Sequence, residues 1–579
     1  KAMIAALNLK VGNKSAALTD FDSALAYFKH GISFLNEEYW KHQYQLSIDL
    51  HNAAADASCA LSDTVGVRFY SQSVFSYAVS LEDKLDAMFV LVKSLRMALA
   101  LSEAEKCAVR FLQDLGEELP RAANDPQLKS DILSMIGAIS RCTDDSILIL
   151  KHSRDKKLII LMKLYHDLFY TLQMMDPSRL FSVSLRMLQL SIECGITELS
   201  PLAFAQFGVT VLSVGDAVAG YRMGSLALKL AKSLGIAGFM SSIIAVVQPY
   251  IAWVSEPFQI ITETHKLGVT LGEQWGDVSS STVNHYWFQL TKLLSGHDLS
   301  TVRSDCSRFL RDLLSRKQSW CVNCTCMTYI HSVALIEGEN SCELVCCNGI
   351  PTEKDIESLS LERKQELIIF GLQTHRLMRC FLFRKFDKMP QLSGILENLL
   401  GNKIPLLSLF IVGVFYEGLA SFCLARRTGD ETWVSRGDAA LRFLRQWSRL
   451  SEWNFENKVL LLEAEKSFTQ GDLDEAQKFY KTATMSAQRH KFLHEEAISH
   501  ELAGLFFLDQ KQYDESLRSF INSFKCFKQW GATAVAKRVE ALIQDNFEGL
   551  CIPEDSAESF SVVATKGPSK RALDCGLFV

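Results

Sequence analysis

Apolar side chains recur three and four positions apart through almost the whole of this 579-residue chain. Phe21, Leu25, Phe28 and Ile32 are one such run, and the spacing gathers them on one face of a helix. No long stretch alternates apolar with polar residues, so a half-buried sheet has no sequence from which to form. Only 11 prolines interrupt the chain, well under the usual share of roughly 5%. Helices can therefore run uninterrupted. Apolar residues make up 48% of the chain and charged residues 22%, the balance of a folded protein rather than a disordered one. The expected fold class is all-α.

Small residues stand beside large aromatics at fixed offsets, which lets two helices approach closely enough to form a hairpin that stacks on the next. Ala464, Ala476, Tyr480 and Ala483 fit the tetratricopeptide pattern, and Gly504, Phe507, Ser516, Phe520 and Ser523 repeat it one unit later. Gly208, Val211, Gly220, Gly224 and Ala227 carry it in mid-chain, while Ala24, Phe28 and Gly31 match its second-helix half near the start. From Ala464 to Gly504 is 40 positions rather than about 34, so an irregular tetratricopeptide-like superhelix, an α-α solenoid, is expected.

Gly215-Asp216, Gly429-Asp430 and Gly471-Asp472 mark hairpin tips. The composition divides the chain into N-terminal helical repeats over 1–122, central repeats over 123–340, a loop over 341–360, C-terminal tetratricopeptide-like repeats over 361–550 and a disordered tail over 551–579. Two apolar stretches, Ser233 to Ser255 and Ile404 to Tyr416, invite a membrane reading. Gln248, Pro249 and several serines interrupt the first, and the second reaches Glu417 before it is long enough. Both read as buried core helices, with no membrane span.

A formal charge of −5, from 61 basic and 66 acidic side chains, supplies no positive field for phosphates, so nucleic acid is not an expected partner. The 16 cysteines are scattered through a long chain, which reads as buried thiols in a reducing, cytoplasmic setting. Because it begins at Lys1, the sequence reads as a piece of a longer polypeptide.

Several strings carry a more specific likeness: Ala24 to Gly31 (ALAYFKHG), Trp40 to Ala55 (WKHQYQLSIDLHNAAA), Leu115 to Pro120 (LGEELP), Gly220 to Gly224 (GYRMG) and Glu496 to Leu508 (EAISHELAGLFFL), and a repeat hairpin does not demand Trp40 with Tyr44 or Glu496 with Glu501. With these the chain resembles, over roughly residues 1 to 545, the tetratricopeptide-like region of STAND-type signalling proteins. That family joins such a region to an AAA-type predicted ATPase and often to protein-kinase or histidine-kinase domains. The resemblance implies a regulatory, protein-binding region, with ATP and Mg in an upstream module that is itself one of the partners. No catalytic residue carries over. The chain has no Gly-Lys pair for a phosphate loop, no His-Arg-Asp loop and no Asp-Phe-Gly site. A non-enzymatic chain without a cofactor of its own is expected.

Cys321, Cys324 and Cys326, then Cys342, Cys346 and Cys347, are spaced closely enough for Cys321, Cys324, Cys342 and Cys346 to be zinc candidates, against the alternative of a helix face of buried thiols. His490, His494, Glu495 and His500 resemble a metal-protease cluster, but the position that would need histidine is Ile498, so polar side chains on a solvated turn are expected there. Trp253, Trp275, Asn284, His285, Tyr286 and Trp287 are candidates for an exposed inner wall that holds a protein or peptide partner. Two alternatives remain open: a constitutive scaffold that does not switch, and a cryptic zinc site or enzyme at the Cys321–Cys347 cluster.

Overall fold

The computed structural model describes residues 1–35, 38–315, 319–341, 349–363, 365–400 and 408–547. Among these residues the chain is all-α, with short 3-10 turns and no strand beyond an isolated bridge between His152 and Ile196. Helix starts follow the sequence. Asp20, Asp63, Asp216 and Asp277 each accept a hydrogen bond from a first-turn amide, and Ser80 with Asp83 and Thr352 with Asp355 form capping boxes. Gly471 and Gly531 end their helices in the left-handed conformation.

The chain folds as two compact units that divide between Ile236 and Ala237. The expected central block of 123–340 therefore spans a boundary. It falls in a turn between two glycines, Gly235 and Gly238, after the helix Ala217–Ser233 ends. The expected loop over 341–360 also needs correcting, because its second half begins the helix Glu353–Glu362, started by the Thr352 capping box. The tail over 551–579 lies outside the described residues.

Antiparallel hairpins build both units. In the first, Ala2–Ala17 pairs with Phe21–Ser33, Tyr44–Ala60 with Thr64–Tyr77, and Ser200–Ser213 with Ala217–Ser233. In the second, Phe258–Trp275 pairs with Val278–Leu294, Glu452–Gln470 with Leu473–Arg489, and Leu493–Asp509 with Tyr513–Trp530. The small-aromatic pattern makes the close approaches. Ala464, Ala476, Tyr480 and Ala483 are buried together, and Gly504 admits the ring of Phe520. Near the start, Gly12 on the first helix faces Phe28, supplying the partner half that the sequence pattern left unassigned.

In the second unit, Val278–Leu294, Ser319–Glu337, Glu366–Leu382, Ser408–Thr428, Glu452–Gln470 and Leu493–Asp509 form an inner layer in which each touches the next. Several of these helices are only weakly amphipathic, as expected for helices buried on every side. The outer helices Leu473–Arg489 and Tyr513–Trp530 bury a single stripe. Ser408–Thr428 is long and apolar enough to cross a membrane by length and composition, yet 89% of its apolar window is buried inside the fold. Met240–Tyr250, within the other apolar stretch, is likewise buried almost throughout.

A Cβ placed on Gly504 would lie 2.7 Å from the Cδ1 and Cε1 atoms of Phe520, whereas one on Gly394 would meet nothing within 4 Å. Gly504→Ala is expected to lower stability by about 1–3 kcal/mol through overpacking. Gly394→Ala is expected to gain up to about 1 kcal/mol from helix propensity. Thermal melts of the two variants check the opposite signs.

Candidate functional site

The proposed inner wall turns out to be filled by the protein itself. Trp253 lies fully buried in the turn Ala252–Val254, its ring edge-on to Trp447 at 4.8 Å and to Phe455 at 6.0 Å. The Asn284 Nδ2 donates to the carbonyls of Ser241 (2.8 Å) and Ser280 (3.0 Å), while its Oδ1 lies 2.9 Å from Nδ1 of the buried His265. Tyr286 and Trp287 are also buried, Tyr286 against Trp320, and His285 is half-buried with its ring stacked 3.8 Å from that of Phe309. Of the six candidates only Trp275, on the last turn of its helix, is open to solvent, at 59% exposure. The expectation failed because aromatic and amide side chains at helical spacing serve equally well to pack one helix layer against another.

Cys321, Cys324 and Cys326 are buried in the helix Ser319–Glu337, where burial pushes the Cys321 thiol up to about 12 and raises Cys324 well above its ordinary value. Zinc ligation needs thiolates, and these two thiols adjoin Tyr286 with no cation beside them among the described residues. Cys342, Cys346 and Cys347 lie outside the described residues. His331, also on this helix, is fully buried with its ring 5.0 Å from that of His375. Arg379 lies close enough to both to help hold them neutral.

His490, His494 and Glu495 are not on a solvated turn; all three are buried. Glu495 accepts a hydrogen bond from Lys458 Nζ at 2.8 Å and another from Asn457, and Lys458 is itself fully buried. The ammonium also donates to the Asn454 carbonyl at 2.8 Å and lies 4.2 Å from the centre of the Phe492 ring. Burial lowers the Lys458 pKa and the Glu495 charge opposes that shift. One turn earlier, Asn454 fixes the chain that precedes Phe258. Its Nδ2 donates to the carbonyls of Trp253 (3.0 Å) and Glu256 (2.8 Å), and its Oδ1 accepts from the Phe258 amide (3.0 Å). Trp453 and His490 extend this seam through Gln259. Segments about two hundred positions apart are thus joined at the centre of the second unit. Nothing in the local sequence marks Asn454 or Lys458, because their partners are distant along the chain.

Other buried acids are held in the same way. Glu501 accepts from Arg384 at 2.7 Å and from Arg538 at 2.7 Å, which holds its carboxyl down at about 2. Glu465 takes Arg426 and Tyr480, each at 2.5 Å. The nearby Cys423 thiol is raised to about 11, away from nucleophilic thiolate. Among the described residues Glu452, Glu456 and His490 could share a metal, but Arg489 donates to Glu452 at 3.2 Å and to Glu456 at 2.7 Å, and Ser486 to Glu456 at 2.6 Å. That arrangement is an ion-pair network. What this arrangement does is hold segments of the second unit together, since each of these acids is engaged by a cation or a hydroxyl of another segment.

Removing one partner of a buried ion pair leaves the other charge uncompensated, so Lys458→Met is expected to cost about 3–5 kcal/mol in urea unfolding. Lys458→Met combined with Glu495→Leu is expected to recover part of that loss. A pH dependence also follows. Burial lowers His265 and His494 to about 4 and His375 to about 3. Above the unfolded value near 6.5 both states are neutral and the histidines contribute nothing. As pH falls below it, the unfolded chain takes up protons that the folded chain refuses, and each histidine withdraws about 1.4 kcal/mol per pH unit until its folded pKa is reached. Glu417 and Glu496, raised by burial, act in the opposite sense but are outnumbered. The melting temperature is expected to fall steadily from pH 7 to pH 5, before most carboxylates titrate; a flat profile would contradict the neutral burial of these histidines.

No family model and no curated protein matches this chain. Among solved structures it is similar to "Crystal Structure of the Yeast Tom70", at 12% identity, over 88% of this chain and 96% of that one, with a TM-score of 0.24. An overlap at that level does not fix the course of the superhelix, so the tetratricopeptide-like reading rests on the hairpins and the small-aromatic contacts described above.

Proposed function

We propose that this chain is a non-catalytic protein-interaction scaffold that binds partner helices on exposed apolar stripes of its first unit. The observation that carries this reading is on the helix Thr64–Tyr77, where Val65 and Phe69, one turn apart, are 79% and 63% exposed. Met3 and Leu7 form a second such pair on the helix Ala2–Ala17. An amphipathic helix reads surfaces of this kind through anchors one turn apart, and exposed apolar patches mark interaction sites. In the second unit the inner layer is already satisfied by its own side chains, whereas Val65 and Phe69 of the first unit stand exposed one turn apart on a single helix face.

The resemblance to STAND-type proteins supports a finer reading, in which partner arrival is coupled to an upstream nucleotide-binding or kinase module that holds ATP and Mg. Such coupling requires the partner to favour one arrangement over another, since only differential affinity shifts a switch. The buried free thiols, among them Cys59, Cys306 and Cys321, support a reducing, cytoplasmic setting.

A photo-crosslinking residue at Phe69 is expected to trap a discrete protein partner in cells, and the same residue at exposed Lys232 is not. Val65→Asp with Phe69→Asp should abolish trapping from a crosslinker placed at the neighbouring Gln72 without changing the melting temperature. Equal trapping at Phe69 and Lys232 would defeat the reading. Partner affinity of the longer protein measured with ATP and with ADP separates a switch from a constitutive scaffold, which shows no difference.

A further inference from the structure

The helix Leu299–Ser315 buries Leu299, Val302, Cys306, Phe309, Leu310 and Leu313 on one side. Its other side presents a stripe of arginine and serine: Ser300, Arg303, Ser304, Ser307, Arg308 and Arg311. With Tyr329 and Ile336 of the neighbouring helix Ser319–Glu337, this stripe lines a cleft of about 430 Å³, within the range of ligand-binding clefts. The buried face fixes the helix, so the stripe is presented on a rigid element.

The cleft is rich in donors and poor in acceptors. Arg303 pairs with Glu337 at 2.5 Å, and Arg308 pairs with Asp305 at 2.5 Å. Asp305 also takes Lys292 at 2.9 Å, so that trio keeps a net positive charge. Arg311 has no hydrogen-bond or ion-pair partner among the described residues, and the hydroxyls of Ser304, Ser307 and Tyr329 likewise lack one. Asp312, next along the chain, bears electrostatically on His285. A guanidinium beside three hydroxyls, all without partners among the described residues, calls for a ligand that brings acceptors and negative charge.

We propose that this cleft binds an acidic run of a partner protein, laid along the helix in extended form with carboxylates at alternate positions. The spread of the cations favours several separated charges over one. From Arg303 to Arg311 the helix rises about 12 Å at 1.5 Å per residue, and two alternate-residue steps of an extended chain cover about 13 Å. A single phosphate spans only a part of that length. Arg311 and Arg308 supply the guanidinium forks, and the serine and tyrosine hydroxyls donate between them. The site lies in the second unit and uses no residue of the apolar stripe at Val65 and Phe69, so either assignment can fail without the other. Its sequence signal is legible once sought: Ser and Arg recur three and four apart opposite the buried stripe.

The test is fluorescence anisotropy of the full chain with a labelled peptide that alternates glutamate and serine. Binding that weakens with salt is expected, and Arg311→Glu is expected to weaken it about tenfold. Ser304→Glu, which disturbs no existing contact, should also weaken it, and thermal melts should show both variants folded. Arg442→Glu, an equal charge change at an exposed position on another helix, should weaken it less than about twofold. Equal weakening by Arg442→Glu, or an absence of binding to the unmodified chain, would overturn the proposal. So would tighter binding of a serine-glycine peptide with one phosphoserine, or of a single-stranded oligonucleotide.

Discussion

The close approach of paired helices, made where a glycine, alanine or serine on one meets an aromatic ring on the other, is the constraint on which this fold depends. Gly12 opposite Phe28, Gly437 against Phe422 and Gly504 against Phe520 leave no room for a methyl group. Each contact fixes one hairpin. The stacking of hairpins then follows, because the inner helix of each pair still has apolar surface to cover and the next inner helix is the nearest surface that can cover it. A sequence with this pattern and few prolines has little access to any other architecture.

In the second unit the same logic runs further than in an open solenoid. Inner helices apolar on every side cannot face water, and here they do not. The turn at Trp253 reaches the helix Glu452–Gln470, and Asn454 satisfies three backbone groups of that turn at once. Closure buries charges as well, and buried charges are tolerable only when paired and hydrogen-bonded. Lys458 with Glu495, and Glu501 between Arg384 and Arg538, meet that condition. These pairs are weak sources of net stability but strong determinants of register, since a shift of one helix past another would strand both charges.

The all-α class, the hairpin tips at Gly215, Gly429 and Gly471 and the small-aromatic motifs were legible in the sequence, because each depends on residues within a few turns of one another. Local order ends at the boundary of a hairpin. Whether Trp253 faces solvent depends on Trp447 and Phe455, about two hundred positions away, and Asn284 is covered by Ser241 and His265 of other helices, which no local periodicity records. The cluster of His490, His494 and Glu495 misled for the same reason. Polar residues at a helix junction read as solvated, yet Lys458, arriving from another hairpin, makes their burial sustainable. The capped helix Glu353–Glu362 was missed because its polar composition outweighed the Thr352 and Asp355 signal at its start.

Self-filling of the inner layer changes where binding can take place. A groove lined by Trp253, Tyr286 and Trp287 would have to be opened before a partner could enter, and opening would expose Lys458 and Glu495 along with several aromatic rings. The cost would include the full desolvation imbalance of those groups, more than a typical peptide could offset after its own ordering entropy. Surfaces already presented to water carry no such cost. On the proposed reading, recognition by the second unit falls to its outer helices, whose exposed faces already meet water while their buried stripe keeps the hairpin intact, and the arginine-serine face of Leu299–Ser315 is one such surface.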